Sequence, residues 1–282
     1  MHVMKAINRT TRKLFITIFA AFSLAVVWGG IRSVTSGTAA AQSTNARATK
    51  PKPAKKEVLS DAIMPFHVGE TLKYQVAWAT FTTAAAVQMN VKERRDLLGW
   101  GTWHFQAFAH TVSPVRSLFA IDDQFDSYTD AASLESRQYE MYLNEMGKKQ
   151  DRVFHLLPMG QSPRGDVPRV AVLPGTRDPL GALYALRGVD WQKTPEFRTP
   201  VYDGRDIYEL RARAVAASEL ISVAAGKYSA TRISIRLFQH DKEVSGMSFS
   251  AWLANDSAHT PVQMQADLPF GNLRVELTSA TQ

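Results

Sequence analysis

Apolar and polar residues alternate along most of this chain. Leu72, Tyr74, Val76 and Trp78 occupy every second position, as do Val87, Met89 and Val91. Trp103, Phe105, Ala107 and Ala109 repeat the pattern after the turn Gly99-Trp100-Gly101. A period of two is the mark of strands with one buried face. The same reading predicts strands over 124–129, 137–144, 152–157 and 169–173. In the C-terminal third, Asp203-Gly204 predicts a hairpin turn between 198–202 and 207–215. Segments 228–238, 247–253, 262–268 and 273–278 follow at the spacing of an antiparallel meander, with Pro269-Phe270-Gly271-Asn272 turning the last pair. The expected fold is mostly β: a single curved antiparallel sheet or partly open β-barrel, with one or two short helices packed on it.

Two helices interrupt the strands. Ser113, with Pro114 at the first helical position, predicts a short one ending near Phe119. The stronger prediction begins at Asp178-Pro179, an acidic N-cap followed by proline at N1. Leu180, Leu183, Tyr184 and Arg187 then lie at i, i+3, i+4 and i+7, and Gly188 supplies a C′ stop. A helix with one apolar stripe must lie against a sheet face or plug a barrel mouth.

The first forty residues break the alternation. Lys5, Arg9, Arg12 and Lys13 form a basic start, Leu14 to Val27 is apolar apart from Thr17 and Ser23, and Ala39-Ala40-Ala41 precedes Gln42. This is the three-part pattern of a secretory signal with cleavage after Ala41. Counted out to Ile31, the apolar run approaches the roughly 20 residues that span a bilayer. Two readings of residues 1–41 therefore stand: a cleaved signal peptide, or an uncleaved membrane anchor holding the bilayer through residues 14–31. Both leave the basic end in the cytoplasm and send the rest outward, to a periplasmic or secreted location, anchored to the inner membrane in the second case. Residues 42–65, with Lys50-Pro51-Lys52-Pro53, suit a solvated Lys/Pro linker. The β-rich exported domain is expected over 66–282.

Charge and cysteine remove several functions. The chain has net charge +7, from 33 basic and 26 acidic residues. Ten of the basic residues but only two of the acidic ones precede Phe66, which leaves a near-neutral domain. A nucleic-acid partner needs a basic face to neutralise phosphates, so none is expected. The chain has no cysteine. That excludes thiol nucleophiles, iron–sulfur clusters, Cys-ligated zinc and an acylated N-terminal Cys.

Motifs for catalysis, cofactors and metals are missing. His104 and His110 share a strand face but sit about 20 Å apart at roughly 3.3 Å per residue, too far to hold one metal. His67, His155, His240 and His259 fall in separate segments. An EF-hand loop starting at Asp122 would want glycine at 127 and glutamate at 133, where Ser127 and Ser133 stand. Gly160-Gln161-Ser162-Pro163 puts proline where a nucleophile elbow enters its helix. No phosphate loop, dinucleotide fingerprint or helical metalloprotease pair occurs. No catalytic residue, metal ligand or cofactor is assigned.

The segment Pro65-Phe66-His67-Val68-Gly69-Glu70-Thr71-Leu72-Lys73-Tyr74-Gln75-Val76-Ala77-Trp78, followed by Asp178 to Arg187, resembles an exported bacterial family called domain of unknown function 3108. The resemblance runs in order through Ala225-Gly226-Lys227-Tyr228, Ala251 to Asp256 with Pro261-Val262, and the Leu268 to Leu277 hairpin. It implies a secreted or periplasmic Gram-negative protein on a curved antiparallel sheet, similar in style to the carriers that ferry lipoproteins between membranes. It implies no activity, and fold does not fix function. Phe81-Thr82-Thr83-Ala84-Ala85-Ala86 departs from the family's usual opening, where a glycine is expected near the end of the first strand. Within the motifs, Gly69 is expected to take an unusual backbone angle. Tyr74 and Trp252 are expected to anchor the core, Asp178 to cap its helix, and Arg187 to pair with an acid at the sheet edge.

The leading expectation is an uncharacterised exported cell-envelope protein that binds an apolar ligand, a lipid or acyl chain, in a curved β-sheet. Trp78, Phe105, Tyr184 and Trp252 are the candidate ligand-binding residues; the competing reading makes these aromatics core. Two alternatives stand beside it: a structural or assembly partner of an envelope complex, and a hydrolase of envelope polymers whose acids converge on folding. A cavity of several hundred Å³ beneath the Asp178 helix would favour the first. A packed core with a large exposed apolar patch would favour the second. Two facing buried acids in a polar groove would favour the third.

Overall fold

The computed structural model describes residues 64–162, 166–269 and 271–281. The expected signal or anchor, and nearly all of the linker, lie outside the described residues. The rest is a fourteen-stranded sheet with two helices. In chain order the first half runs β1 (Thr71–Trp78), β2 (Phe81–Leu97), β3 (Trp100–Thr111), α1 (Val115–Leu118), β4 (Asp122–Asp130), β5 (Ser136–Glu145), β6 (Lys148–Pro158) and β7 (Val170–Val172). The second half runs α2 (Pro179–Arg187), β8 (Phe197–Tyr202), β9 (Ile207–Val223), β10 (Gly226–Gln239), β11 (Lys242–Glu243), β12 (Ser248–Ala254), β13 (Pro261–Leu268) and β14 (Gly271–Thr281).

Two meanders share one seam. Spatial order is β7-β6-β5-β4-β3-β2-β1-β14-β13-β12-β10-β9-β8, with β11 attached to β10. All pairs are antiparallel except β6 with β7. The first strand meets the last, so Val76 lies opposite Val275 and the chain ends join the halves at mid-sheet. The turn from β1 into β2 is made without glycine: Ala79 takes φ 49°. It adopts the left-handed conformation that glycine supplies at least cost, and Phe81 to Ala86, where a glycine is expected near the end of the first strand, lie past that turn in β2.

The outer strands curl toward each other. Segment 175–178 bridges them: the Ser136 N–H donates to the Thr176 carbonyl (3.0 Å), the Arg177 N–H to Pro200 (2.9 Å), and the Tyr202 N–H to Arg177 (2.8 Å). Leu156, Val172 and Tyr202 cluster behind this bridge, and Phe154 meets Tyr202 edge to face at 5.5 Å. The result is a nearly closed barrel, the more closed of the two expected forms.

Helix α2 lies inside it. All nine of its residues are buried, so the single stripe expected from sequence is corrected to burial all round. Gly181, Tyr184 and Arg187 face β4, β3 and the entry to β1. Pro179, Ala182, Leu183 and Leu186 face the opposite wall. Asp178 caps the helix as expected, accepting the Gly181 N–H at 2.9 Å. Gly188 stops it in right-handed geometry (φ −80°), not the left-handed C′ form. At α1 the capping residue is Pro114, with no side-chain cap, in place of the expected Ser113.

Gly181 is where the helix touches the sheet most closely. An added Cβ would stand 2.9 Å from Thr129 Cγ2, 3.0 Å from Ser136 Oγ and 3.3 Å from Asp178 Oδ2. Gly181→Ala is therefore expected to destabilise by about 1–3 kcal/mol, through overpacking against a β-branched neighbour. Urea unfolding measures this; an unchanged midpoint would mean the helix has slack the packing does not show.

Candidate functional site

The interior holds a filled half and an unfilled half. In the filled half, Phe105 and Tyr184 are wholly buried, and their rings stack at 3.7 Å between centroids and 5° between planes. Phe66 meets Trp103, Phe105 and Tyr184 edge-on at 5.1–5.2 Å. Both rings are packed against neighbouring aromatics.

The four aromatics singled out from sequence therefore do not form one site. Phe105 and Tyr184 come together, as packed core. Trp252 is 6 % exposed, and its Nε1–H donates to Glu219 at 2.6 Å. Trp78 stands at the end of β1, stacked on Phe81 at 6.0 Å, with Gly271 close behind it.

The unfilled half lies across α2. A partly open apolar cavity of about 70 Å³ separates the helix face Pro179, Ala182, Leu183 and Leu186 from the strands beyond. Leu210, Ile235, Leu237, Phe249, Met264 and Val275 form much of the far wall, and Ser250 and Gln265 are its only polar lining residues. The apolar positions alternate along β10, β12, β13 and β14, so the period-two pattern already puts them on one face, with Ser250 and Gln265 at the intervening positions. Which face the helix would leave unfilled is not written in that pattern. The space is well below the several hundred Å³ expected of a complete lipid pocket.

The opposite, outer face of β3–β6 carries a different chemistry. Directly paired residues share a face, which produces four cross-strand rows: His104, Tyr128, Gln138 and His155; Gln106, Asp126, Glu140 and Val153; Phe108, Gln124, Tyr142 and Asp151; and His110 with Asp122, then Asn144 with Lys149. Within β3–β5 these positions hold no lysine or arginine. Several are nearly inaccessible: Asp126 is 2 % exposed and Glu140 9 %. Asp126 accepts from His104 Nε2 (2.6 Å), Gln106 Nε2 (2.9 Å) and Gln124 Nε2. Glu140 accepts from Gln138 and from the Tyr142 hydroxyl (2.7 Å), which pushes the Tyr142 phenol upward. His104 stacks on Tyr128 at 4.3 Å.

Asp126 and Glu140 are two buried acids facing each other across β4 and β5, the arrangement named above for a hydrolase. All four of their oxygens already accept hydrogen bonds. A catalytic acid or nucleophile must reach its substrate, and these two carboxylates are buried and engaged by protein donors.

Beside this network lies a groove of about 480 Å³, lined by residues that include Phe108, His110, Asp122, Asp123, Gln124, Tyr142, Asn144, Lys149 and Asp151. Asp122 is held by Arg116 through paired contacts of 2.8 and 2.9 Å, which keep its carboxyl below the usual range. Asp123 differs. Burial pushes it up to about 7, with Glu145 and Asp122 adding repulsion against a single bond from the Asn144 N–H. Among the described residues, no group of three or more potential ligands could hold a metal, and no helix is long and apolar enough to cross a membrane.

Three solved structures are similar to this chain at low identity. A β-barrel-like protein of domain of unknown function DUF1849 from Brucella abortus is 10 % identical, with 75 % of this chain and 96 % of that one covered, at TM-score 0.45. A candidate exported protein with a YmcC-like fold from Bacteroides fragilis is 9 % identical (78 % and 98 % covered, TM-score 0.37). A candidate lipoprotein from Parabacteroides distasonis is 10 % identical (77 % and 97 % covered, TM-score 0.36). No curated protein matches the sequence. The profile of one family matches residues 73–278, nearly the whole barrel. The chain belongs to that family, the proteins of unknown function DUF3108.

Proposed function

We propose that this is an exported cell-envelope protein that takes the end of an acyl chain into the cavity between α2 and β9–β14. The observation that carries the reading is the cavity wall, apolar on every side but for Ser250 and Gln265. Its volume limits the ligand. About 70 Å³ admits a few terminal carbons, so the headgroup and most of the chain stay outside. Burial of each methylene is worth roughly 0.8 kcal/mol, which suits a transient hold on a lipid and not a permanent one. Export rests on the three-part start of the sequence.

The test is native mass spectrometry with solvent extraction on the full chain, prepared from the envelope without detergent, followed by titration with dansyl-undecanoic acid. Bound acyl lipid and displaceable probe are expected, with at least about tenfold weaker binding in Ala251→Phe, which fills the cavity. A clean apo mass at every load, with probe binding indifferent to Ala251→Phe, would sink the reading. The alternative of an assembly partner would then lead, through Leu118 and Met146. Both are 61 % exposed, beside the Ala120–Met146 contact at one end of the barrel.

A further inference from the structure

We infer that the outer-face groove over β3–β6 binds an uncharged or amino-bearing oligosaccharide, at a site separate from the apolar cavity. The floor of the groove is the row Phe108, Gln124, Tyr142 and Asp151. Strands lie roughly 4.8 Å apart, so the two aromatic positions stand about 10 Å apart with an amide between them. Phe108 is 37 % exposed, and apart from Val153 (48 %) the paired positions of this face are polar or tyrosine. An aromatic plate flanked by amides and carboxylates suits a sugar: the ring covers its C–H face, and two-oxygen and amide groups grip adjacent hydroxyls.

Two features separate this surface from an ordinary solvated sheet face. The groove's volume, about 480 Å³, falls within the range of small-molecule sites. Its side chains are fixed in advance, since Tyr142 is tied to Glu140 and Glu140 lies beside the triply held Asp126; fixing lowers the ordering cost of binding.

Charge selects among glycans. Asp122, Asp126, Glu140 and Asp151 face outward with Lys149, and Arg116 offsets Asp122 alone. A phosphorylated or uronic-acid chain would be repelled, whereas a neutral or amino sugar would not.

The test uses the full chain and three tetrasaccharides, of glucosamine, N-acetylglucosamine and glucose, followed by calorimetry and saturation-transfer NMR. At least one is expected to bind with a Kd between about 10 µM and 1 mM. Binding should weaken about tenfold in Phe108→Ala, with transfer strongest to ring C–H protons. Preference for the glucosamine tetramer, lost with added salt or in Asp151→Asn, would assign the amine to the acids; equal binding of the acetylated tetramer would assign a neutral ligand. Both outcomes support the site. Asp151 is exposed, so its variant keeps the test valid if Phe108→Ala lowers the melting temperature. No binding by any tetramer at about 5 mM, or full binding by both variants, would overturn the inference. Neither result depends on the acyl-chain cavity.

Discussion

Glu70→Ala is expected to cost about 3–5 kcal/mol. Arg187 has no exposed surface and Glu70 only 1 %. Two parallel bonds of 2.7 Å join Nη1 to Oε1 and Nη2 to Oε2, and Nη2 also donates to the Ala258 carbonyl at 2.9 Å. Phe66 and Tyr184 rings flank the guanidinium at 5.3 and 5.1 Å. The contact ties the last turn of α2 to the residue that opens β1, at a sequence separation of 117. With Glu70 removed, a positive charge stays enclosed without a counter-ion, and that exposed penalty dominates the lost bonds. At about 2–4 °C per kcal/mol for a domain of this size, the melting temperature should fall by roughly 10 °C. The pair need not stabilise the fold relative to apolar residues, because burying both charges was itself costly. Glu70→Leu with Arg187→Met should recover most of the loss. A double variant as unstable as Glu70→Ala would show that the hydrogen-bonded geometry matters, not the charge alone.

Sequence alone anticipated that pairing in kind: Arg187 was expected to meet an acid, but on the edge of the sheet, whereas the partner lies within the barrel. The same division runs through the fold. Alternation located every strand except β11, since two residues cannot display a period. It shortened β2 and β9 because parts of them lack contrast: Ala84-Ala85-Ala86 and Ala216-Ala217 are uniformly small, and Lys92 to Asp96 uniformly polar. Those positions are strand by virtue of their partners; Glu93, Arg94 and Arg95, for example, pair with His104, Trp103 and Thr102.

The candidate sites were less legible, for a physical reason. Period two tells which residues share a face but not what covers that face. Phe105 and Tyr184 are covered by each other, 79 residues apart in sequence, and so became core and not a pocket wall. The cavity liners Leu210, Leu237 and Met264 look the same in sequence as filled core positions; what distinguishes them is the space between them and α2. The polar grid did leave a trace. Gln138, Glu140, Tyr142 and Asn144 alternate with Tyr139, Met141 and Leu143, and an outward face so free of lysine and arginine is a signal that composition by residue type could have raised.

Asp123 predicts a pH dependence with a definite sign. Its carboxyl stands near 7 in the folded chain against an ordinary 3.8, so between those values the folded state holds a proton that the unfolded chain has released. A state that binds more protons is favoured by acid, hence Asp123 makes stability fall as pH rises from about 4 to about 7, and adds no slope beyond. At roughly 1.4 kcal/mol per unit the full span is at most about 4 kcal/mol. Asp203 acts in the same direction over a narrower window, since burial pushes it up to about 6. His155, pushed down by burial, works in the opposite sense, because its folded form resists the proton that the unfolded chain accepts below its ordinary 6.5. The quantity to measure is therefore the difference between Asp123→Asn and the parent, by urea unfolding at pH 5, 6, 7 and 8. Asparagine can still accept the Asn144 N–H through its own oxygen and carries no charge to bury. The variant should match the parent near pH 4 and gain on it steadily to about pH 7, after which the gap holds. A gap that is constant across the whole range would mean that Asp123 is ionised throughout, and that water reaches it through the groove despite the 5 % exposure of the residue.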